Sequence, residues 1–315
     1  MKSYAIGVDV GGTTVKIGLF QVDGQLIQKW EISTDKREGG SRVLSDIAAS
    51  LKEKMREHQI SPDDVEGVGI GVPGAVQDFS LVHGAVNIGW GEVRISDILS
   101  GLLYEIPVRA ANDANCAALG EMWMGGARGY QTLVMATLGT GVGGGIVIDG
   151  KVLEGAFGAA GEIGHICVEP LEEKACGCGG HGHLEQYASA TGIVRLAAEI
   201  LEQKTAPSLM RDIQEPLSAK EVFHCAKRGD DLALQVVDRA SRYLGRALAA
   251  ISCVVDPQII LIGGGVSKAG SMLTDAVTAY YRQYAFFASR SAPIRLAVLG
   301  NDAGICGAAR LVLPD

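Results

Sequence analysis

The chain has 315 residues, 47% of them hydrophobic and 20% charged, which is too much for one small core and suits one large or two medium domains. Its formal net charge of −8 argues against a nucleic-acid surface, which needs a clustered positive field, although backbone N–H groups could still hold an anionic cofactor. Seven cysteines form no even framework, and two of them, Cys176 and Cys178, share a Gly-rich loop, so a reducing compartment and a metal are expected rather than disulfides.

Residues 4–10 alternate in hydropathy and predict a strand. A Gly-Gly-Thr-Thr turn follows, then a second strand over 15–20. The Asp23-Gly24 turn is a hairpin signal and predicts a third strand over 25–33. Residues 41–58 have helical spacing, with Val43, Ile47, Ala48 and Leu51 on one face. A buried strand over 65–72 ends at Pro73-Gly74. A short strand over 108–111 leads to a helix over 112–125 that opens on Asn112 and Asp113, both good caps. Residues 132–138 and 145–148 predict another strand–turn–strand unit. Beyond residue 150 the pattern is mostly helical, with helices over 190–203, 219–227, 232–254, 271–284 and 302–313. Residues 258–262 form a strand that runs into Gly263-Gly264-Gly265. The apolar run 247–255 stops at Asp256-Pro257, short of the roughly 20 residues of a membrane span. No apolar signal stretch precedes a cleavage site near Met1, so a cytoplasmic protein is expected.

The segments around Asp9 and Thr137 share a design: a strand, a Gly/Thr-rich turn and a second strand. This weak repeat suggests a duplicated α/β fold with one phosphate loop per lobe. Gly139-x-Gly141-x-x-Gly144 and Gly69-x-Gly71-x-x-Gly74 match the dinucleotide fingerprint as letters, but neither precedes a helix, and both are rejected on that ground. No Gly-Lys-Ser/Thr loop occurs either. Backbone N–H groups and Thr hydroxyls in two turns remain, which fit either ordinary tight hairpins or phosphate cradles. Asp113 fits either a helix cap or a general base facing a cleft. His165, Cys176, Cys178 and His183 offer two imidazoles and two thiolates, the donor set of a closed structural zinc site, with Cys167 and His181 as spare donors. Glu162 and Glu185 flank that cluster and fit either solvated carboxylates or rigid partners for sugar hydroxyls.

Taken in order, Asp9-Val-Gly-Gly-Thr-Thr, Gly71-Val-Pro-Gly74, Asn112-Asp113-Ala-Asn115, Leu138-Gly-Thr-Gly-Val-Gly-Gly-Gly145, Gly161-Glu-Ile-Gly-His165, the loop 176–185 and Gly263-Gly-Gly-Val266 resemble the ROK family of sugar kinases and repressors from about residue 4 to about residue 311. Asn87-Ile-Gly-Trp90 and Leu299-Gly-Asn-Asp-Ala-Gly304 are most similar to bacterial glucokinases within that family. The resemblance implies an α/β, two-lobed actin-like ATPase (ribonuclease H-like) fold with the zinc-stapled loop in the larger lobe. The smaller lobe would hold residues 1–111, joined by the C-terminal helix 301–315, and the larger residues 112–300, with the zinc loop at 165–185.

The resemblance also implies phosphorylation of the 6-hydroxyl of glucose by ATP with Mg²⁺, with Zn²⁺ as a structural ion. Kinases for N-acetylmannosamine, N-acetylglucosamine or fructose, and a non-catalytic sugar sensor, are the alternatives. By analogy Asp9, Gly11, Gly12, Thr13 and Thr14 form the first phosphate loop. Thr137, Gly139, Thr140 and Gly141 form the second, and Gly263, Gly264 and Gly265 lie by the adenosine. Asp113 is the implied base. Gly74, Asn87, Asn112, Glu162, His165 and Glu185 are the implied sugar contacts, His165 using one ring nitrogen for zinc and the other for sugar. The implied partners are sugar and ATP, with no nucleic acid and no membrane, in a homodimer or homotetramer. The sensors of the family carry a helix-turn-helix ahead of the kinase-like fold, and none is expected here, the first strand being predicted within a few residues of Met1. In one departure, His183 stands where the family usually has a third Cys.

Overall fold

The computed structural model describes residues 2–314. In chain order the strands are β1 (Tyr4–Val10), β2 (Thr14–Gln21), β3 (Leu26–Ser33), β4 (Val65–Val72), β5 (Val76–Gln77), β6 (Leu81–Ala85), β7 (Trp90–Arg94), β8 (Val108–Asn112), β9 (Leu133–Leu138), β10 (Val142–Ile148), β11 (Lys151–Val152), β12 (Ile259–Gly263) and β13 (Ile294–Leu296). The helices are the single turn α1 (Arg37–Gly40), then α2 (Val43–Glu57), α3 (Ile95–Leu102), α4 (Asp113–Met124), α5 (Glu185–Ala188), α6 (Ala190–Gln203), α7 (Ala219–Lys227), α8 (Asp231–Val255), α9 (Ser271–Tyr284) and α10 (Ala303–Arg310). Among them no helix is long and apolar enough to cross a membrane.

Contacts group the chain into two units. The first holds the residues up to Gln131, Gly145–Gly161 and those from Val298 on; the second holds Thr132–Gly144 and Glu162–Ala297. This grouping differs from a boundary at 111/112, because α4 packs along α10 in the first unit.

The first unit is built on a five-stranded sheet ordered β3-β2-β1-β4-β8. β2 runs antiparallel to β1 and β3, and β4 runs parallel to β1 and β8. Val8, Ile17, Val68 and Ile70 from this sheet meet the buried stripe of α2, which is Val43, Leu44, Ile47, Ala48, Leu51 and Met55. Each such aliphatic side chain contributes roughly 2 kcal/mol by leaving water. A small sheet β5-β6-β7 completes this unit.

Helix α10 fills a trough that only glycine can line. A methyl group on Gly7 of β1 would stand 1.9 Å from the Ile305 carbonyl oxygen, and one on Gly69 of β4 would stand 1.6 Å from that of Ala308. On α4, a methyl at Gly120 would stand 2.2 Å from the Ala303 oxygen. The approach is backbone to backbone on every side. The fully buried Glu121 pins the segment that leads into α10: Oε1 accepts from the N–H groups of Val298 (2.9 Å) and Leu299 (2.7 Å), and Oε2 from that of Gly126 (2.7 Å).

In the second unit β9, β12 and β13 run parallel, with β12 between the other two. The helices here are capped as their sequences direct. Ser189, Ser218 and Asp230 accept from backbone N–H groups at the starts of α6, α7 and α8. Asp256 ends α8 in a left-handed conformation, at φ 47°.

The expected strands and long helices are present, and the differences have local causes. The sheet β5-β6-β7, the short strands β11 and β13 and the single turn α5 are too brief for a periodic signal. Helix α3 starts at Arg94, which makes no side-chain cap. Gly143 and Gly144 read as part of a turn but belong to β10, and Gly145, the first residue of the expected strand, is small because the Ala114 oxygen would lie 2.5 Å from a methyl there. The closing helix is shorter than 302–313, because Gly300–Asp302 forms a separate 3-10 turn.

Gly69→Ala should destabilise the protein by about 3 kcal/mol or more, because the Ala308 oxygen belongs to a helix backbone that cannot step aside alone. Chemical denaturation measures this, and a midpoint equal to wild type would refute the trough.

Candidate functional site

Within the first unit, Asp9 lies near the end of β1, in register with Lys16 on β2 and Gly71 on β4. Burial raises its pKa above the ordinary carboxylate value, and Lys16 partly opposes this. A methyl on Gly304, in the first turn of α10, would stand 2.8 Å from the Asp9 carboxyl carbon, so the helix start and the carboxylate share one space. The turn 11–14 closes by a bond from Gly11 N–H to the Thr14 oxygen (3.0 Å). Thr34 braces it from β3's end: its N–H donates to the Thr13 oxygen (2.9 Å) and its hydroxyl to the Gly11 oxygen (2.7 Å). Asn87 is exposed, and its backbone oxygen lies 3.4 Å from the position of a Gly12 methyl.

Asn112 and Asp113 both accept the Ala114 N–H at the start of α4, Asp113 through Oδ1 at 2.8 Å. Asn112 is the cap of α4: Oδ1 accepts from the N–H groups of Ala114 (2.9 Å) and Asn115 (3.3 Å). Its Nδ2 donates to the Gly74 oxygen (3.1 Å), so both ends of the amide are engaged. Gly74 has φ 112°, and a methyl there would meet the Gly84 oxygen at 2.2 Å. Asp113 is the first helical residue and its carboxylate is exposed. Cys116, one turn on, is buried close enough to Asp9 and Asp113 to feel both. Burial first, and then those charges, push its thiol well above its ordinary value, so it serves as apolar packing.

Within the second unit, the 139–141 turn closes by a bond from Gly139 N–H to the Gly141 oxygen (3.0 Å). The start of α6 is docked on it. Ala190 N–H donates to the Gly139 oxygen (2.8 Å), and the Thr191 hydroxyl to the Thr140 oxygen (2.7 Å). Thr137 on β9 pairs with Gly263 on β12. Gly264 has φ 81° and sits against the Leu138 backbone, where a methyl would be 2.5 Å from its oxygen. Gly265 and Val266 then line a cavity of about 770 Å³, together with Phe223, Lys220, Lys227 and Lys268. Sequence reading missed these α7 residues. The signal was the spacing 220, 223, 227 after the Ser218 cap, which puts them on one helix face.

The four metal-ligand candidates converge, with their donor atoms all within 4.8 Å of one another. His183 Nδ1 lies 3.3 Å from His165 Nδ1 and 3.3 Å from Cys178 Sγ. Cys176 Sγ lies 3.6 Å from Cys178 Sγ and 4.0 Å from His165 Nδ1. Bond lengths of about 2.0–2.3 Å give tetrahedral edges of about 3.3–3.8 Å; three of these separations lie in that range and the fourth, Cys176 to His165 at 4.0 Å, is slightly longer, so a tetrahedral cation would draw that pair in. Among the described residues Cys167 and His181 stand outside this group. His165 turns Nδ1 to the cluster, and its Nε2 lies 3.9 Å from Glu162 Oε2. Glu185 opens α5, accepting from the Cys176 thiol at 2.8 Å through Oε1, while Oε2 lies 2.8 Å from the position of a Gly141 methyl. Burial, with Glu185 alongside, pushes the Cys176 thiol up to about 12, and coordination to a cation would hold it as thiolate.

A polar clamp supports this loop from below. Glu172 accepts from the Tyr187 hydroxyl (2.7 Å) and from Arg195 Nη1 (2.6 Å). Burial opposes its ionisation, yet these two partners hold it down to about 2.

The raised pKa of Asp9 has a definite sign in stability. The folded state binds that proton more tightly than the unfolded chain, so stability falls as pH rises from the unfolded value through the folded one. Asp9→Asn should therefore unfold later than wild type at pH 7, and the difference should close as pH falls below about 4. Denaturation midpoints across pH test this, and an Asn variant less stable at pH 7 would contradict it.

The ROK family model matches residues 5–314. The chain is 44% identical over 313 residues to a glucokinase of Halalkalibacterium halodurans, covering 98% of this chain and 94% of that protein. It is 36% identical to a glucokinase of Thermotoga maritima, covering 99% and 98%. The crystal structure of a ROK family glucokinase from Streptomyces griseus, in complex with glucose and AMPPNP, superposes with a TM-score of 0.75 at 34% identity, covering 98% of each chain. A chain matched over nearly its whole length, with the turns, the Asn112–Asp113 pair and the four-residue cluster in these places, belongs to the ROK family.

Proposed function

We propose that this chain is a glucokinase, transferring the terminal phosphoryl group of ATP to the 6-hydroxyl of glucose to give glucose 6-phosphate and ADP. The observation that carries this is the exposed carboxylate of Asp113 at the start of α4. Asn112 caps the helix through the N–H groups of Ala114 and Asn115, and Asp113, whose Oδ1 also accepts from the Ala114 N–H (2.8 Å), stands exposed as the first helical residue. Likeness to glucokinases at up to 44% identity supports glucose as the sugar.

Asp113 accepts the proton of the 6-hydroxyl as that oxygen attacks the terminal phosphorus, and the bond from phosphorus to the ADP oxygen breaks. The N–H groups of the 11–14 and 139–141 turns, with Thr13, Thr14, Thr137 and Thr140, receive the phosphate oxygens. The apolar floor of the Gly265–Phe223 cavity receives the adenosine. Gly74, Asn87, Asn112, Glu162, His165 and Glu185 are the sugar contacts, Asn112 acting chiefly by holding the Gly74 backbone. Mg²⁺ bound with ATP would supply charge neutralisation on the phosphates, and Asp9 would be its carboxylate partner. His165, Cys176, Cys178 and His183 would hold a structural Zn²⁺ that keeps Glu185 and His165 in place. Reduced thiols suit a cytoplasmic enzyme, and a homodimer or homotetramer is the assembly inferred from the family.

The test is a coupled assay of ADP release with Mg-ATP and a panel of sugars, on wild type and Asp113→Asn. Glucose should give the highest kcat/KM, and the variant should lose about 10²-fold or more. Preference for an N-acetylated sugar or fructose would change the substrate, and no turnover with any sugar would end the kinase assignment. Metal analysis should find one Zn²⁺ per chain. Cys178→Ser should lower that occupancy and raise KM for glucose more than KM for ATP; unchanged occupancy would remove Cys178 from the ligand set.

A further inference from the structure

The 11–14 turn offers phosphate only neutral donors, namely backbone N–H groups and hydroxyls. The nearest basic residue in sequence, Lys16, is in register with Asp9 on the neighbouring strand and offsets that carboxylate. A second cation reaches the turn from outside it. The ammonium of Lys36 lies 3.3 Å from where a Gly12 methyl would be, beside the Asn87 backbone oxygen at 3.4 Å from the same point. Any side chain on Gly12 would displace it.

The chain around Lys36 is fixed at both ends. Thr34 is bonded twice to the turn, through its N–H to Thr13 and its hydroxyl to Gly11. Downstream, Gly40 N–H donates to the Lys36 oxygen (3.3 Å), and the Gly40 oxygen accepts from Trp90 Nε1 (3.0 Å). The acidic neighbour is committed elsewhere: Asp35 holds the Arg37 guanidinium at 2.7 and 2.9 Å and also accepts from the Arg37 N–H (3.0 Å). Among the described residues the Lys36 ammonium enters no ion pair or hydrogen bond. An exposed lysine beside a turn of N–H groups, with its adjacent carboxylate paired to Arg37, places a positive charge where an anion could be received.

We infer that Lys36 is a further catalytic residue, whose ammonium contacts the terminal phosphoryl oxygens of the nucleotide over Gly12. This inference rests on the kinase assignment and adds to it the cation that the two turns lack. Charge on the equatorial oxygens persists through phosphoryl transfer, so a fixed ammonium there stabilises the transition state without giving up a proton.

The experiment compares wild type, Lys36→Met, which keeps the stem and removes the charge, and Lys36→Arg. Steady-state kinetics are run with ATP and glucose varied separately, and binding of AMPPNP and ADP is measured with no sugar present. Lys36→Met should lose about 10- to 100-fold in kcat/KM for ATP while KM for glucose stays within about twofold. It should weaken AMPPNP more than ADP, and Lys36→Arg should recover most of the loss. Wild-type kinetics in Lys36→Met would overturn the inference. So would a rise confined to KM for glucose, which would make Lys36 a sugar contact, or equal weakening of AMPPNP and ADP. If wild type itself turns over no sugar, the kinase assignment fails, and the AMPPNP-against-ADP comparison still decides the role of Lys36.

Discussion

The seating of α10 against bare backbone is the constraint on which the first unit depends. Gly7 on β1, Gly69 on β4 and Gly120 on α4 each leave a space that the carbonyl groups of α10 occupy, with no side chain between. Close approach of this kind gives up the burial of side chains for accuracy of position, since backbones cannot repack around an error. It sets the start of α10 against Asp9 through Gly304, and it fixes α4, whose first turn carries Asn112 and Asp113. Two of the chemically important carboxylates are thus placed by one helix that contributes no reactive group itself. The buried Glu121 makes the arrangement cooperative, because it satisfies three N–H groups on two separate segments with one charge.

The second unit solves its positioning problem with polar chemistry. The loop around Cys176 has little apolar surface to bury, so its order comes from ligand donors and from the Glu172 clamp. Glu185 joins these parts: it accepts from Cys176 on one side and faces Gly141 of the phosphate turn on the other. A change in the cluster is therefore a change at the turn. His165 works the same way, with one ring nitrogen in the cluster and the other near Glu162. His183 brings Nδ1 within 3.3 Å of both His165 Nδ1 and Cys178 Sγ.

The charge balance of the whole chain conceals the local chemistry. A protein with a net charge of −8 still carries two turns of N–H groups and hydroxyls, with Lys36 near the first. Neutral donors bind phosphate through directed dipoles, which do not add to the count of charges. A search for clustered Lys and Arg passes over such a site.

Much of this was legible in the sequence, and the reasons are physical. Strands such as β1 and β4 and helices such as α2 and α8 declare themselves by hydrophobic period. Asn112 and Asp113 declare a helix start by their capping chemistry. The family was legible because Gly/Thr turns, Asn112–Asp113 and the His/Cys loop recur in one order. Absence of a following helix was enough to reject both dinucleotide fingerprints, and β10 and β5 stand where such a helix would begin. What tertiary structure alone decided was the use of ambiguous residues. Asn112 and Asp113 are equally good caps in isolation and both accept the Ala114 N–H; only the further bonds of Asn112, from Asn115 and to Gly74, mark it as the cap. Cys167 and His181 are chemically competent ligands, and only distance separates them from the four that converge. Gly143 and Gly144 have the letters of a turn, yet they are strand residues of β10. Local sequence determines period and capping because these depend on neighbours along the chain; contacts such as Lys36 over Gly12 depend on segments that meet only when the chain has folded.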